Sequence, residues 1–241
     1  MNADVALLPG WIEPNALAGR TAVVFDVIRA TSSITTALAH GASGVRCFAS
    51  LDEARSARAS MTGPALLAGE ANCHRPDGFD LGNSPAAFSY DRCNGRVICL
   101  STTNGTRALL ASIHADRVFA GSLLNASATA AAVLGAGRDV LLVCASTGGR
   151  VALEDVVGAG AVIDAMRRRI DVRCSDSAKL AQQAFVSSLR DLPGVLRSTA
   201  GGQNVIAAGL ADDLRFLARL DALPVVAELR DGLIIRNQTV V

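Results

Sequence analysis

The sequence predicts an α/β fold of three layers, a largely parallel sheet with helices on both faces. Short, continuous apolar runs recur along the chain. Each run stops abruptly in a loop of small hydroxyl, amide and glycine residues, and each loop leads into a stretch of helical character. Strands covered on both faces read as unbroken apolar runs, and strands alternating with helices suit the crossover connections of a parallel sheet. With 241 residues, 50% apolar and 19% charged, the chain can bury one sizeable core. No low-complexity linker divides it, so a single unit over residues 1–241, one-lobed or bilobal, is expected.

The first strand-loop-helix segment is Thr21-Ala-Val-Val-Phe-Asp26, the loop 27–32, and Ser33-Ile-Thr-Thr-Ala-Leu-Ala39. The second is Arg96-Val-Ile-Cys-Leu100, the loop Ser101-Thr-Thr-Asn-Gly-Thr106, and a helix from Arg107. The third is Val140-Leu-Leu-Val-Cys144, the loop Ala145-Ser-Thr-Gly-Gly-Arg150, and a helix over Leu153–Ile163. The first two continue alike, with Gly44–Ser50 standing beside Arg117–Ser122. Val24 then falls on Val97 and Val45 on Val118, as an internal β-loop-α-β-α duplication would place them. Loops at the carboxyl ends of neighbouring parallel strands share one edge, so the three loops are expected to face one site. Residues 69–85 have neither period and are rich in turn formers, which marks a functional loop more often than a passive one. Towards the C-terminus, Ser175–Leu189 and Leu214–Leu220 read as helices, and Pro224–Ile235 reads as two strands around Arg230-Asp-Gly232. The apolar Leu233-Ile-Ile235 is a candidate to pair across a subunit boundary in a homo-oligomer.

Composition excludes several classes. Net charge is +1 with no basic block, and one Trp and one Tyr leave little surface for stacking bases, so no nucleic-acid partner is expected. No apolar run approaches the roughly 20 residues that span a bilayer, and the N-terminus lacks a signal-peptide pattern, so a cytoplasmic protein with no membrane partner is expected. Six cysteines in or near apolar runs, without a CxxC pair, read as reduced and structural.

The residues that could carry chemistry lie at the strand ends. The Thr102–Thr106 loop, followed by a helix, is a receptor for an oxyanion: unpaired helical N–H groups, Gly105 for close approach, and the hydroxyls of Thr102, Thr103 and Thr106 beside Asn104. The same residues also serve as helix caps. Asp26 ends the first strand, with Arg29, Thr31 and Ser32 following. A carboxylate beside phosphate-binding loops suits Mg²⁺, a hard cation that takes oxygen donors, and the Arg29 fork suits a phosphate or carboxylate. An Asp26–Arg29 ion pair or a simple cap is the competing account. Glu154 and Asp155 open the third helix, where acidic residues favour the N-terminus in any case. Glu70, Asp77 and Asp80 add oxygen donors, while His40, His74 and His114 are too scattered for zinc.

The stretch from Phe25 is similar to the start of the aspartyl-nucleophile motif of haloacid dehalogenase-type phosphatases, but Ile28 stands where those carry a second aspartate. That departure favours metal ligation over an Asp26 phosphoenzyme. More extensively, the chain resembles the 2-phosphosulfolactate phosphatase family. The matching pieces are Asp26-Val-Ile-Arg-Ala-Thr31, Gly69-Glu70, Gly78-Phe-Asp-Leu-Gly-Asn-Ser-Pro85, Thr102-Thr-Asn-Gly-Thr-Arg107, Gly121 with Asn125, Cys144-Ala-Ser-Thr-Gly-Gly149, and Leu153-Glu-Asp155 followed by Ala159-Gly160. The resemblance implies a Mg²⁺-dependent hydrolase acting on a small phosphorylated 2-hydroxy acid, in coenzyme M biosynthesis for the named pathway. On this reading Asp26, Glu154 or Asp155, with Glu70 and Asp80, hold the metal. The Thr102–Thr106 loop, Thr31, Ser32 and Asn83 meet the substrate, and Arg29, Arg107 and Arg150 hold its acidic groups. A non-catalytic sensor of an anionic metabolite and a sugar-phosphate isomerase are the alternatives.

Overall fold

The strand Thr21–Phe25 is buried at every position. Its side chains alternate between two cores: Val23 and Phe25 enter one apolar cluster, Ala22 and Val24 another. That is the physical reason for its unbroken apolar run, since both faces of the sheet are covered. The computed structural model describes residues 1–13 and 15–237. Its strands are β1 (Asn2–Ala6), β2 (Thr21–Phe25), β3 (Gly44–Phe48), β4 (Ala65–Gly69), β5 (Val97–Ser101), β6 (Arg117–Gly121), β7 (Val140–Cys144), β8 (Arg173–Cys174), β9 (Val226–Arg230) and β10 (Leu233–Asn237). The helices are α1 (Ala30–Ala39), α2 (Leu51–Ser60), α3 (Tyr90–Cys93), α4 (Gly105–Ala111), α5 (Ala126–Ala136), α6 (Leu153–Arg167), α7 (Asp176–Ser188), α8 (Leu192–Ser198), α9 (Ala200–Ala207) and α10 (Asp212–Leu217).

All the strands join one ten-stranded sheet in the order β4-β5-β3-β10-β9-β6-β2-β7-β1-β8. Side chains of α5, α6, α7 and α8 fill the cluster on one face, and those of α1, α3 and α4 the cluster on the other. The three-layer α/β architecture is therefore present. The element order β2-α1-β3-α2 recurs as β5-α4-β6-α5, and the two stretches exchange strands, β2 pairing with β6 and β3 with β5. This is a recurrence of topology.

The sheet is not parallel throughout. β6, β2, β7, β1 and β8 form one parallel block and β4, β5 and β3 another. The antiparallel β9–β10 hairpin joins them, so the two blocks run in opposite directions. Its turn is Asp231-Gly232, with φ of +50° and +76°, as a two-residue hairpin with primed turn geometry requires. The expectation that Leu233–Ile235 pairs across a subunit boundary is corrected here. β10 lies between β9 and β3 of its own chain, with Ile234 opposite Val45. All six cysteines are free thiols. Among the described residues no helix is long and apolar enough to cross a membrane.

Two helical glycines distinguish close packing from open space. A Cβ at Gly160 of α6 would lie 2.0 Å from the Ala181 carbonyl oxygen and 2.8 Å from Phe185 Cβ of α7, whereas one at Gly135 of α5 would meet nothing within 4 Å. Gly160→Ala is expected to destabilise by about 1–3 kcal/mol through overpacking. Gly135→Ala is expected to stabilise by ~0.5–1 kcal/mol through helix propensity. Chemical denaturation of both variants checks the opposite signs.

Candidate active site

Asp155 ties two strand ends together. One carboxylate oxygen accepts from the Val27 N–H after β2 (2.8 Å), the other from the Ser146 N–H after β7 (3.3 Å). β2 and β7 are parallel neighbours, so these two loops share an edge as expected. The β5 loop arrives differently, because β5 belongs to the oppositely directed block. The first turn of α4 instead lies against the first turn of α1. A Cβ at Gly105 would fall 2.5 Å from both Ala30 Cβ and Asp26 Oδ2, so only glycine permits the approach. Asp26 is itself fixed by the Ala30 N–H, which donates to its Oδ1 (3.1 Å).

A cavity of about 250 Å³ lies where these segments meet. Its wall includes Asp26, Ile28 and Arg29 after β2, Glu70, Asn72, Cys73 and Asn83 from the irregular loop, Thr103 and Asn104 after β5, and Thr147 and Gly148 after β7. Gly201, Asn204 and Val205 of α9 complete it. Two tight turns border it. Ala71 and His74 close one around Asn72 and Cys73, and Thr147 and Arg150 close the other around Gly148 and Gly149; all four central residues have positive φ. In the first turn the Cys73 N–H donates to Glu70 Oε2 (2.9 Å), while Glu70 Oε1 accepts from both the N–H and the Oγ1 of Thr103 (each 2.8 Å).

Carboxyl groups are concentrated in and behind this wall. Burial, followed by the neighbouring charges of Glu70 and Glu154, pushes Asp26 up to about 6, against the opposing Ala30 hydrogen bond. Burial, then the charges of Asp26 and Glu154, raises Asp155 well above the ordinary carboxylate value, and burial raises Glu154. Glu154 Oε1 stands 3.4 Å from Thr147 Oγ1, whereas its buried Oε2 has no hydrogen-bond partner. Asn83 Oδ1, also buried, has none either. Unpartnered buried acceptors beside mutually repelling carboxylates fit a cation or bound protons. Among the described residues no three His, Cys, Asp or Glu side chains form a ready metal-binding group. Mg²⁺ does not require one, because it keeps several waters and is held by one or two carboxylates together with substrate phosphate. The donor set fits Mg²⁺ through Asp26 and Glu154.

Comparison with known proteins shows the family. The family model for 2-phosphosulpholactate phosphatase matches residues 7–232. A protein named probable 2-phosphosulfolactate phosphatase from Thermotoga petrophila is 38% identical over 219 residues, covering 91% of this chain and 93% of its own. Proteins of the same name from Symbiobacterium thermophilum and Carboxydothermus hydrogenoformans are 39% and 37% identical, covering 91% and 96% of this chain and 95% of each of their own. The chain belongs to the 2-phosphosulfolactate phosphatase family. It is thereby a phosphoric monoester hydrolase.

A phosphatase site needs groups free to meet an anion, and the candidate residues divide on that criterion. Asp26, Arg29, Glu70, Asn83, Thr103 and Asn104 line the cavity. Glu154 and Asp155 lie buried close by, Glu154 against Thr147 and Gly201. The hydroxyls of Thr31, Ser32, Thr102 and Thr106 are turned inward. Thr31 Oγ1 bonds to the Asp26 backbone, Ser32 Oγ donates to the Val27 carbonyl, and the Thr102 and Thr106 side chains cap one another's backbone. They shape the loops, and Gly105 lets the loops meet. Arg107 lies outside the cavity, in an adjoining one. Arg150 is exposed, with its backbone closing the Gly148-Gly149 turn. Asp80 lies outside the cavity too, its Oδ2 accepting from the Leu67 N–H (2.8 Å) along the outer side of β4. Arg29 pairs with Asp213 at 2.9 Å, not with Asp26.

Sequence reasoning missed Asn72, Cys73, Thr147, Gly201, Asn204 and Asp213. Gly201 and Asn204 lie on α9, and the docking of that helix on the site rests on contacts distant in sequence. A small apolar cluster of Val205, Leu214 and Leu217 with Ile28 and Cys73 seats α9 and α10 on the site.

The raised value of Asp26 sets a pH dependence. Between its ordinary value of 3.8 and about 6, the unfolded chain releases the proton that the folded one keeps. Metal-free stability therefore falls as pH rises through that window, with Glu154 and Asp155 adding in the same direction. Asp26→Asn is expected to raise Tm near neutral pH by several degrees, with the gap closing below about pH 4. Calorimetry in the presence of chelator checks this; identical pH profiles for variant and wild type would contradict it.

Proposed function

We propose that the protein is a Mg²⁺-dependent phosphatase of a phosphorylated 2-hydroxy acid, hydrolysing 2-phosphosulfolactate to 3-sulfolactate and phosphate. The observation that carries this reading is the buried, unpartnered Glu154 Oε2 beside Asp26, in a chain whose relatives are named probable 2-phosphosulfolactate phosphatase. Asp26 and Glu154 hold the ion, while Asp155 and Glu70 keep the surrounding loops in register through backbone N–H groups. Bound there, Mg²⁺ supplies charge neutralisation and polarisation of the phosphoryl group.

The chain's own residues bind and orient. Arg29 presents its planar fork to phosphate oxygens, which carry the developing charge of phosphoryl transfer. Thr103 and Asn104 form the wall between the cavity and an adjoining one of about 560 Å³, lined also by Trp11, Arg107 and Ser146. A substrate with its phosphate at Arg29 can direct its remaining acidic groups past Thr103 and Asn104 to Arg107. Water is the nucleophile. The Cys73 thiol is kept protonated by burial, and Asp26 is committed through Oδ1 to the Ala30 N–H.

Phosphate release from 2-phosphosulfolactate, with Mg²⁺ and with chelator, tests the reading. Release that depends on Mg²⁺ is expected. Turnover without free phosphate would indicate an isomerase, and binding without turnover a sensor. Arg107→Ala is expected to raise KM by about tenfold, the loss of one exposed charge-assisted hydrogen bond, with kcat and the Mg²⁺ activation constant nearly unchanged. Steady-state kinetics check the split.

A further inference from the structure

We propose that Asp213, steadied by Ser84, is a positioning residue that aims Arg29 at the phosphate end of the substrate. This rests on the reading of Arg29 as an anion-binding residue. Arg29 is only 3% exposed, yet it borders the cavity. Its Nη1 donates to Asp213 Oδ2 at 2.9 Å and its Nη2 to the Cys73 carbonyl at 2.8 Å. A guanidinium has five N–H donors in a fixed plane, so two anchored ones define where the rest point.

Asp213 is itself anchored. Its Oδ1 accepts from Ser84 Oγ at 2.6 Å, so both carboxylate oxygens are committed and the side chain is 93% buried by its 7% exposure. Ser84 belongs to the Gly82-Asn-Ser-Pro85 stretch, Asp213 to α10, and Cys73 to the turn that also fixes Glu70. Three segments distant in sequence thus fix one side chain, two directly and Ser84 through Asp213. The apolar cluster of Leu214 and Leu217 with Ile28 and Cys73 holds α10 against the same loops. A buried ion pair is weak evidence for stability, since desolvation offsets its attraction. Its place at the cavity wall, with each partner tethered a second time, suits orientation.

The test is calorimetric binding of inorganic phosphate in the presence of Mg²⁺. The proteins are wild type, Asp213→Asn, Ser84→Ala, Arg29→Ala and the Arg29→Ala/Asp213→Asn double variant, with Tm recorded for each. Asp213→Asn is expected to weaken phosphate binding by about 10–100-fold and Ser84→Ala several-fold in the same direction, as misorientation does. The double variant should bind no worse than Arg29→Ala, because Asp213 acts through Arg29. Wild-type affinity in Ser84→Ala and Asp213→Asn, or additive losses in the double variant, would overturn the proposal. If Asp213→Asn does not fold, Ser84→Ala, which leaves the ion pair intact, decides it. A wild type that binds no phosphate would overturn the role of Arg29 and this inference with it. A wild type that binds phosphate through Asp213 and Arg29 but releases none from 2-phosphosulfolactate would overturn the proposed function alone.

Discussion

The Asp155 carboxylate spans the ends of two parallel strands, bonding to the Val27 N–H on one side and the Ser146 N–H on the other. Most of the site depends on that clamp. It fixes the β2–α1 loop that carries Asp26 and Arg29, and it fixes the β7–α6 loop whose tight turn presents Thr147. It also requires a carboxylate to be buried where two others are already buried. One backbone N–H on each oxygen offsets part of that cost for Asp155. Glu154, its neighbour in sequence, has one oxygen with no such partner.

That asymmetry separates scaffold from chemistry. Asp155 and Glu70 have both oxygens engaged with fixed donors and serve the framework. Glu154 Oε2 has no donor and Asp26 faces the cavity, while burial and mutual repulsion make both, like Asp155, hold their protons more tightly. Folding thus leaves an electrostatic mismatch at the cavity, which the proposed divalent cation would relieve. Such local cost at a working site is a common compromise between stability and activity.

Much of this was legible in the sequence. The strands β2, β5 and β7 follow from unbroken apolar runs, and the β9–β10 hairpin from Asp231-Gly232. The acidic pair at the start of α6 was visible, as was the importance of the irregular loop after β4. The convergence of the three loops was expected from a shared parallel edge, yet the β5 loop reaches Asp26 through the glycine contact between α4 and α1. Strand direction is a property of the whole sheet, and the reversal arises from a hairpin more than a hundred residues downstream of β5. The hydroxyls of Thr31, Ser32, Thr102 and Thr106 were candidates for the substrate but bond to their own loops. Composition cannot distinguish those roles, because one oxygen serves a cap or a ligand equally well. Asp213 escaped notice for a related reason: one of two adjacent aspartates at the start of a six-residue helix acquires meaning only where the helix docks.

The central claim is that Asp26 and Glu154 together hold a divalent cation. Mn²⁺, which shares the oxygen preference of Mg²⁺, reports this directly through anomalous scattering from soaked crystals. The account predicts a single strong peak at the cavity, at about 2.0–2.3 Å from oxygens of both carboxylates. A peak that avoids either carboxylate, or a cavity that stays empty at saturating Mn²⁺, would contradict it.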